Sequence, residues 1–229
     1  MAAMSGGTAA WADESELTPL DTTLPDSFLE ERTQFLVERL DDSQLHGQIW
    51  WYGWLTVNSV SAVGLGTAAA LTGDHDDRVK NATNATKAAI GLTRMIFDPL
   101  EARLGADEIR PLPSDTREQR IAKLRAAEAQ LQSNAERAEQ RWSWQKHLGN
   151  VAINGAAGAI VATLGETGDA YEVGIGGFIG GLAFLLTQPW DPDDDWEQYK
   201  SIRSQESQLR VYVTQMPDGG AGLNLNLRW

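Results

Sequence analysis

The chain is 229 residues long, carries a formal net charge of −13 and has a sequence pI near 4.6. That balance excludes broad recognition of a nucleic-acid backbone, and it repels an anionic lipid surface except where basic groups act locally. Cysteine is absent, so disulfides, thiolate metal sites and a cysteine nucleophile are excluded as well.

Residues 1–23 are small, polar and acidic, and they read as a mobile leader. Ala10-Trp11-Ala12 before Asp13-Glu14 resembles the end of a signal peptide, without the basic and apolar regions that would precede it. A helix is expected from Ser27, where Ser27-x-x-Glu30 reads as a capping box after Pro25. Phe28, Leu29, Phe35, Leu36, Leu40, Leu45 and Ile49 follow at helical spacing, and the pattern continues to Gly73, about 45 residues or roughly 70 Å. Asp74 to Asp77 form a charged turn, and a second helix returns to Phe97, ahead of Pro99. Leu100 to Leu104 adds a last helical turn before Gly105.

A third helix is expected from Ser114, Asp115 or Thr116, with Thr116-x-x-Gln119 as its capping box, and it reads as continuous to Gly165. A fourth runs back from about Tyr171 to Gln188 and stops at Pro189 and Pro192, and a polar helix follows from Asp193 to Arg210. In the tail, Leu209, Val211 and Val213 alternate, Pro217-Asp218-Gly219-Gly220 turns, and Leu223, Leu225, Leu227 and Trp229 alternate, the pattern of a β-hairpin.

The two helical halves repeat. Gln48, Trp50, Asn58, Gly66 and Gly73 recur 92 positions later as Gln140, Trp142, Asn150, Gly158 and Gly165. Phe97-Asp98-Pro99 recurs as Trp190-Asp191-Pro192. The expected fold is therefore mainly α: two tandem antiparallel helical hairpins, a pseudo-twofold four-helix arrangement with long helices, plus a C-terminal β-hairpin. It divides as leader 1–23, first hairpin 24–111, second hairpin 112–207 and tail 208–229.

In such an arrangement Trp50, Trp51, Trp54, Trp142, Trp144 and Trp190 fall at one height, six of the nine tryptophans. Beyond that level the helices are apolar and small. Gly66, Gly158, Gly174, Gly177 and Gly181 are expected to carry close helix packing. Two readings stand side by side. The tryptophans form a membrane-interface girdle, or they line the mouth of a soluble bundle that binds an apolar small molecule. Against simple spanning, the apolar runs are short, and the second helix carries Arg78, Lys80, Asn81, Asn84, Lys87 and Arg94. Asn58 and Asn150 read as a buried polar pair, bonded across the local dyad or bordering a polar cavity.

The tail resembles the closing strand of bacterial outer-membrane β-barrel proteins, which ends in an aromatic preceded by alternating apolar residues, although such barrels need many more strands. Other constellations fall away. Asp74 to Asp77 read as a solvated cap, Asp191, Asp193 and Asp195 fail the calcium-loop pattern at Trp196 and Ile202, and Gly174 to Gly180 lacks the dinucleotide spacing. His46 and His147 border the tryptophans. No nucleophile–base pair, metal set or cofactor motif remains, so the chain reads as non-enzymatic, with no cofactor. The expectation is a self-associating helical protein of a bacterial cell envelope, periplasm or outer membrane, otherwise cytoplasmic. It would be a structural, assembly or pore component touching lipid, with itself and a membrane surface as partners and no nucleic acid.

Overall fold

The structure, a computed structural model, describes residues 25–215 and 221–227, with side-chain positions through Ser204. The expected leader, the turn at 216–220 and Trp229 lie outside the described residues, as do the side chains of Leu223, Leu225 and Leu227.

The chain is mainly helical. Helix α1 (Asp26–Asp42) leads into α2 (Gln44–Leu71), and α3 (His75–Phe97) returns beside it. A single 3-10 turn at Glu101–Leu104 opens the connection to α4 (Arg117–Gln140), which is followed by α5 (Trp144–Leu164). The return leg is α6 (Thr167–Tyr171), a π turn at Glu172–Gly176, and α7 (Gly177–Leu186); α8 (Asp191–Gln208) comes last. Beyond it the backbone is extended in β1 (Leu209–Gln215) and β2 (Ala221–Leu227), antiparallel with Val211 opposite Leu225. With its turn and its side chains outside the described residues, this tail adds nothing to the helical class.

Four expectations about the helices are corrected. The first helix begins at Asp26 with Pro25 at its N-cap, so Ser27 lies inside the helix and its capping box does not form. The long first rod is interrupted at Ser43, whose hydroxyl donates to the Leu40 carbonyl at 3.0 Å and so competes with the helix ladder. The third rod breaks outright at Arg141–Ser143, because Ser143 is extended and caps α5 by accepting from the Lys146 N–H. The return leg starts at Thr167 rather than Tyr171, ends at Leu186 and contains the π turn. The Thr116–Gln119 capping box is formed as expected.

Two bodies of different chemistry result. At the base, α1, α4 and α8 pack around Leu29, Leu36, Leu40, Leu124, Leu131, Trp196 and Tyr199. Inside this base the Tyr199 hydroxyl donates to Glu128, and the Arg203 guanidinium lies 3.3 Å from the same carboxylate. Burial beside that anion pushes the Tyr199 phenol above its ordinary range. Above the base stand α2 with α3, and α5 with α6 and α7. The connection between α3 and α4 is pressed against α2, where a Cβ on Gly47 would lie 2.8 Å from the Arg103 nitrogen. Its turn uses Gly105 at φ 56°, a left-handed geometry that disfavours any side chain.

Candidate membrane-contacting bundle

The upper body has its large apolar side chains on the outside. On α2 the exposed positions are Leu45, Ile49, Tyr52, Val57, Val60, Val63 and Leu71; on α5 they are Trp144, Leu148, Val151, Ile153, Ile160 and Leu164. The return leg adds Tyr171, Ile175, Ile179 and Leu186. Steps of three, four and their sums put the α2 positions on one helix face, whereas on α5 Trp144, Leu148 and Val151 lie on one face and Ile153, Ile160 and Leu164 on the opposite one. Large apolar side chains exposed in such numbers mark a surface that meets something other than water alone.

Four threonines on this exterior are closed off. The hydroxyls of Thr56, Thr67, Thr86 and Thr93 each donate to the carbonyl four residues back, at 2.8 Å. No hydrogen-bonding capacity of these hydroxyl protons is left to face the surroundings, which is what a non-aqueous exterior requires.

The interior combines a small buried apolar cluster, Ala157, Val161, Ala170 and Val173, with a set of polar side chains. Asn150 donates to the Phe178 carbonyl at 3.0 Å, and Asn154 donates to the Asn150 side chain at 2.8 Å. Lys87 reaches from α3 to donate to Asn154 Oδ1 at 3.1 Å and to the Val173 carbonyl at 2.9 Å. Asn58 donates to the Trp54 carbonyl at 2.8 Å and touches Met95 Sδ. The anticipated Asn58–Asn150 bond across a dyad is therefore absent, because each amide is satisfied within its own hairpin. Asn154 and Lys87 are the members that sequence reasoning left out. Asn154 was readable one turn beyond Asn150; the pairing with Lys87, 67 positions away, was not.

Glycines make room for these amides. A Cβ on Gly181 would collide with Asn150, one on Gly177 with Asn154 and Lys87, and one on Gly91 would come 2.6 Å from Asn58 Oδ1. Gly158 and Gly174 let two backbones touch, with Gly158 facing the Ala170 carbonyl. Gly66 has looser surroundings, its nearest neighbour being the Ala85 methyl at 3.9 Å. Gly176 and Gly180 face open space.

The charges of α3 sort by height. At the hairpin tips Arg78 donates to the Thr72 carbonyl, and Lys80 donates to Asp169 at 2.9 Å and Glu172 at 2.7 Å. His75 ties the two tips together by donating to the Leu164 carbonyl at 2.8 Å. Arg94 lies at the other end, about 24 Å along the helix from Arg78, and only Lys87 sits at mid-height, pointing inward. The cationic helix is thus compatible with an apolar exterior.

Near the base the tryptophans divide. Trp50 is 4% exposed, packs on Phe184 and donates to its carbonyl at 3.1 Å, whereas its repeat partner Trp142 is 64% exposed. Trp54 donates to the Thr187 hydroxyl at 3.2 Å, Trp51 packs under the Arg103 guanidinium, and His46 donates to the Thr187 carbonyl and meets the Trp190 ring edge-on. Trp144 and Trp190 are exposed as well. Trp50 and Trp54 thus plug the gap between hairpins, and Trp142 and Trp144 face outward, so the four do not line one mouth. The repeat is broken here because the second copy interrupts its helix at Trp142 and the first does not.

Comparison with protein families, curated proteins and solved structures gives no match for this chain.

Three stretches among the described residues are long and apolar enough to cross a membrane: Asp26–Leu71, Trp144–Leu164 and Thr167–Ser204. Their apolar parts are α2, α5 and the α6–α7 leg. At 21 residues α5 rises about 31 Å, a match to a hydrocarbon core of about 30 Å. The described residues contain no cluster of His, Asp and Glu able to hold a metal ion. A surface groove of about 270 Å³ lies on the base beside α1, away from both hairpins. The cations in it are already engaged, Arg110 by Asp41, Arg120 by Asp26 and Lys123 by two carbonyls.

Proposed function

We propose that the protein is a membrane-integral, non-enzymatic component in which α2–α3 and α5–α7 are embedded as two hairpins and the α1–α4–α8 base stays in water. One observation carries this reading: the hairpins leave many leucine, isoleucine and valine side chains exposed while Asn150, Asn154 and Lys87 turn inward, beside the buried Val161 and Val173. In water the hydrophobic effect favours the opposite arrangement; in lipid, unpaired polar groups are the expensive ones and turn inward. The end of α7 at Leu186, followed by Pro189 and Pro192, separates the embedded leg from the aqueous α8.

Self-association belongs to the same reading. Gly176 and Gly180 lie on the return leg with nothing opposite them, a backbone surface on which a helix of a second copy packs closely. The role is then structural, as an assembly or pore component.

The test is extraction and flotation. Membranes containing the full chain are washed with alkaline carbonate, and the detergent-purified protein is mixed with phosphatidylcholine vesicles and floated. Retention in the carbonate pellet and co-flotation are expected. A protein that is released by carbonate, stays monomeric without detergent and remains at the bottom of the gradient is a soluble bundle, and the proposal fails.

A further inference from the structure

The two ends of the embedded body differ in how many lysines and arginines flank them. At the tips the connections are residues 72–74, between α2 and α3, and residues 165–166, between α5 and α6, and neither holds a lysine or an arginine. The nearest are Arg78 and Lys80 in the first turns of α3, engaged by the Thr72 carbonyl and by Asp169 and Glu172. At the other end the hairpins are joined by residues 98–143, which hold eight of the chain's 19 lysines and arginines. Arg103 and Arg110 follow α3, Arg137 and Arg141 precede α5, and Arg32 and Arg39 precede α2. All six stand within the ~15–20 residues of an embedded end over which such charges count.

This is a contrast in cations, not in net charge, since residues 98–143 also carry nine carboxylates. In choosing the side of a membrane, lysines and arginines decide and Asp and Glu weigh little. A lysine or arginine beside the cytoplasmic leaflet is held by its anionic lipids, and carrying it outward works against a potential that is negative inside. A short connection without such residues crosses more readily.

We propose that both hairpins enter the membrane from the cytoplasmic side, so that the α1–α4–α8 base works in the cytoplasm and the tips, with Lys80, Asp169 and Glu172, face the opposite compartment. This rests on the membrane reading above. It adds sidedness, and with it the compartment in which any partner of the base is met.

The chain has no cysteine of its own, so an introduced thiol is the only one to react. Gly73→Cys places it at a tip where a Cβ meets nothing, and Glu108→Cys places it on the exposed connection of the base. Asp77→Cys and Glu31→Cys repeat the comparison at a second pair of exposed positions. Each variant of the full chain is made in a bacterial host, and spheroplasts are treated with a membrane-impermeant maleimide before and after opening with mild detergent. The expected result is labelling of Gly73→Cys and Asp77→Cys in intact spheroplasts, and of Glu108→Cys and Glu31→Cys only after detergent. The reverse pattern, or labelling of all four in intact spheroplasts, puts the base outside and overturns the inference while the membrane reading stands. Protection of all four in protein that resists alkaline carbonate means that the tips do not cross, and this too overturns it. Release of the protein by carbonate removes the membrane reading itself.

Discussion

Lys87 on α3 donates to the Asn154 side chain on α5 across 3.1 Å, joining the two hairpins through the middle of an otherwise apolar bundle. The same ammonium holds the Val173 carbonyl within the π turn, so one side chain ties three elements together. Replacing Lys87 by alanine leaves the Asn154 oxygen short of a donor, whereas the Val173 carbonyl keeps the Gly177 N–H. Hairpin association is expected to weaken by about 1 kcal/mol, the scale of a polar contact within lipid. Thermal unfolding in mild detergent reads this, and unchanged stability in the Lys87→Ala protein would show that the contact does not hold the hairpins.

Gly181 and Gly180 are adjacent and face opposite environments. A methyl at Gly181 strikes the Asn150 amide, whereas one at Gly180 meets nothing. Gly181→Ala is therefore expected to destabilise the monomer by about 1–3 kcal/mol through overpacking. Gly180→Ala leaves the fold intact and changes only association between copies, read as particle size by light scattering. Equal effects of the two substitutions on unfolding would contradict the orientation of the return leg.

Asp195 is buried in the base with Arg39 Nε 3.5 Å from its carboxylate. Burial pushes its pKa up from 3.8 to about 6, against the pull of Arg39 and with help from Asp191, Asp42 and Asp194. The folded state thus holds its proton more tightly than the unfolded chain does, so this group's unfavourable contribution appears as pH rises from about 4 through about 6. Asp195→Asn is expected to stabilise the base by about 2 kcal/mol at pH 8 and to have little effect below pH 4. Melting curves across that range test both the sign and the window; a variant less stable at pH 8 would mean that the Arg39 pair outweighs the burial.

Asn134 on α4 is buried with neither side-chain atom hydrogen-bonded. Its isosteric replacement by leucine removes an unmet desolvation cost, and a gain of about 1 kcal/mol is expected. Urea titration of the detergent-solubilised protein measures it, and a loss of stability would point to a partner that Asn134 needs.

Brominated acyl chains quench indoles that touch lipid. Single-tryptophan proteins that keep Trp142 or Trp144 are expected to be quenched in such vesicles, and one that keeps Trp196, buried in the base core, is expected to be unaffected. Quenching of Trp196 comparable to that of Trp144 would place the base in lipid.

Helical periodicity, proline and glycine stops, and the Thr116 capping box are local properties, and the elements they define were readable along the chain: α3 ending before Pro99, α4 starting after Thr116, the turn after Gly73. Apolar spacing marked the buried face of α1 at Leu29, Leu36 and Leu40, but the same stripe continues on α2 into Leu45 and Ile49, which are exposed. What no local rule contains is which side of the bundle meets which solvent. The same spacing of valine and leucine on α2 serves a dry core or a lipid surface, and only the position of α3 and α5 shows it to be the outside. The breaks at Ser43 and Ser143, the unequal fates of Trp50 and Trp142, and the joining of Lys87 to Asn154 were likewise decided by packing. Each is a balance between a small local preference and contacts made by residues distant in sequence, and the contacts exist only once the helices are assembled.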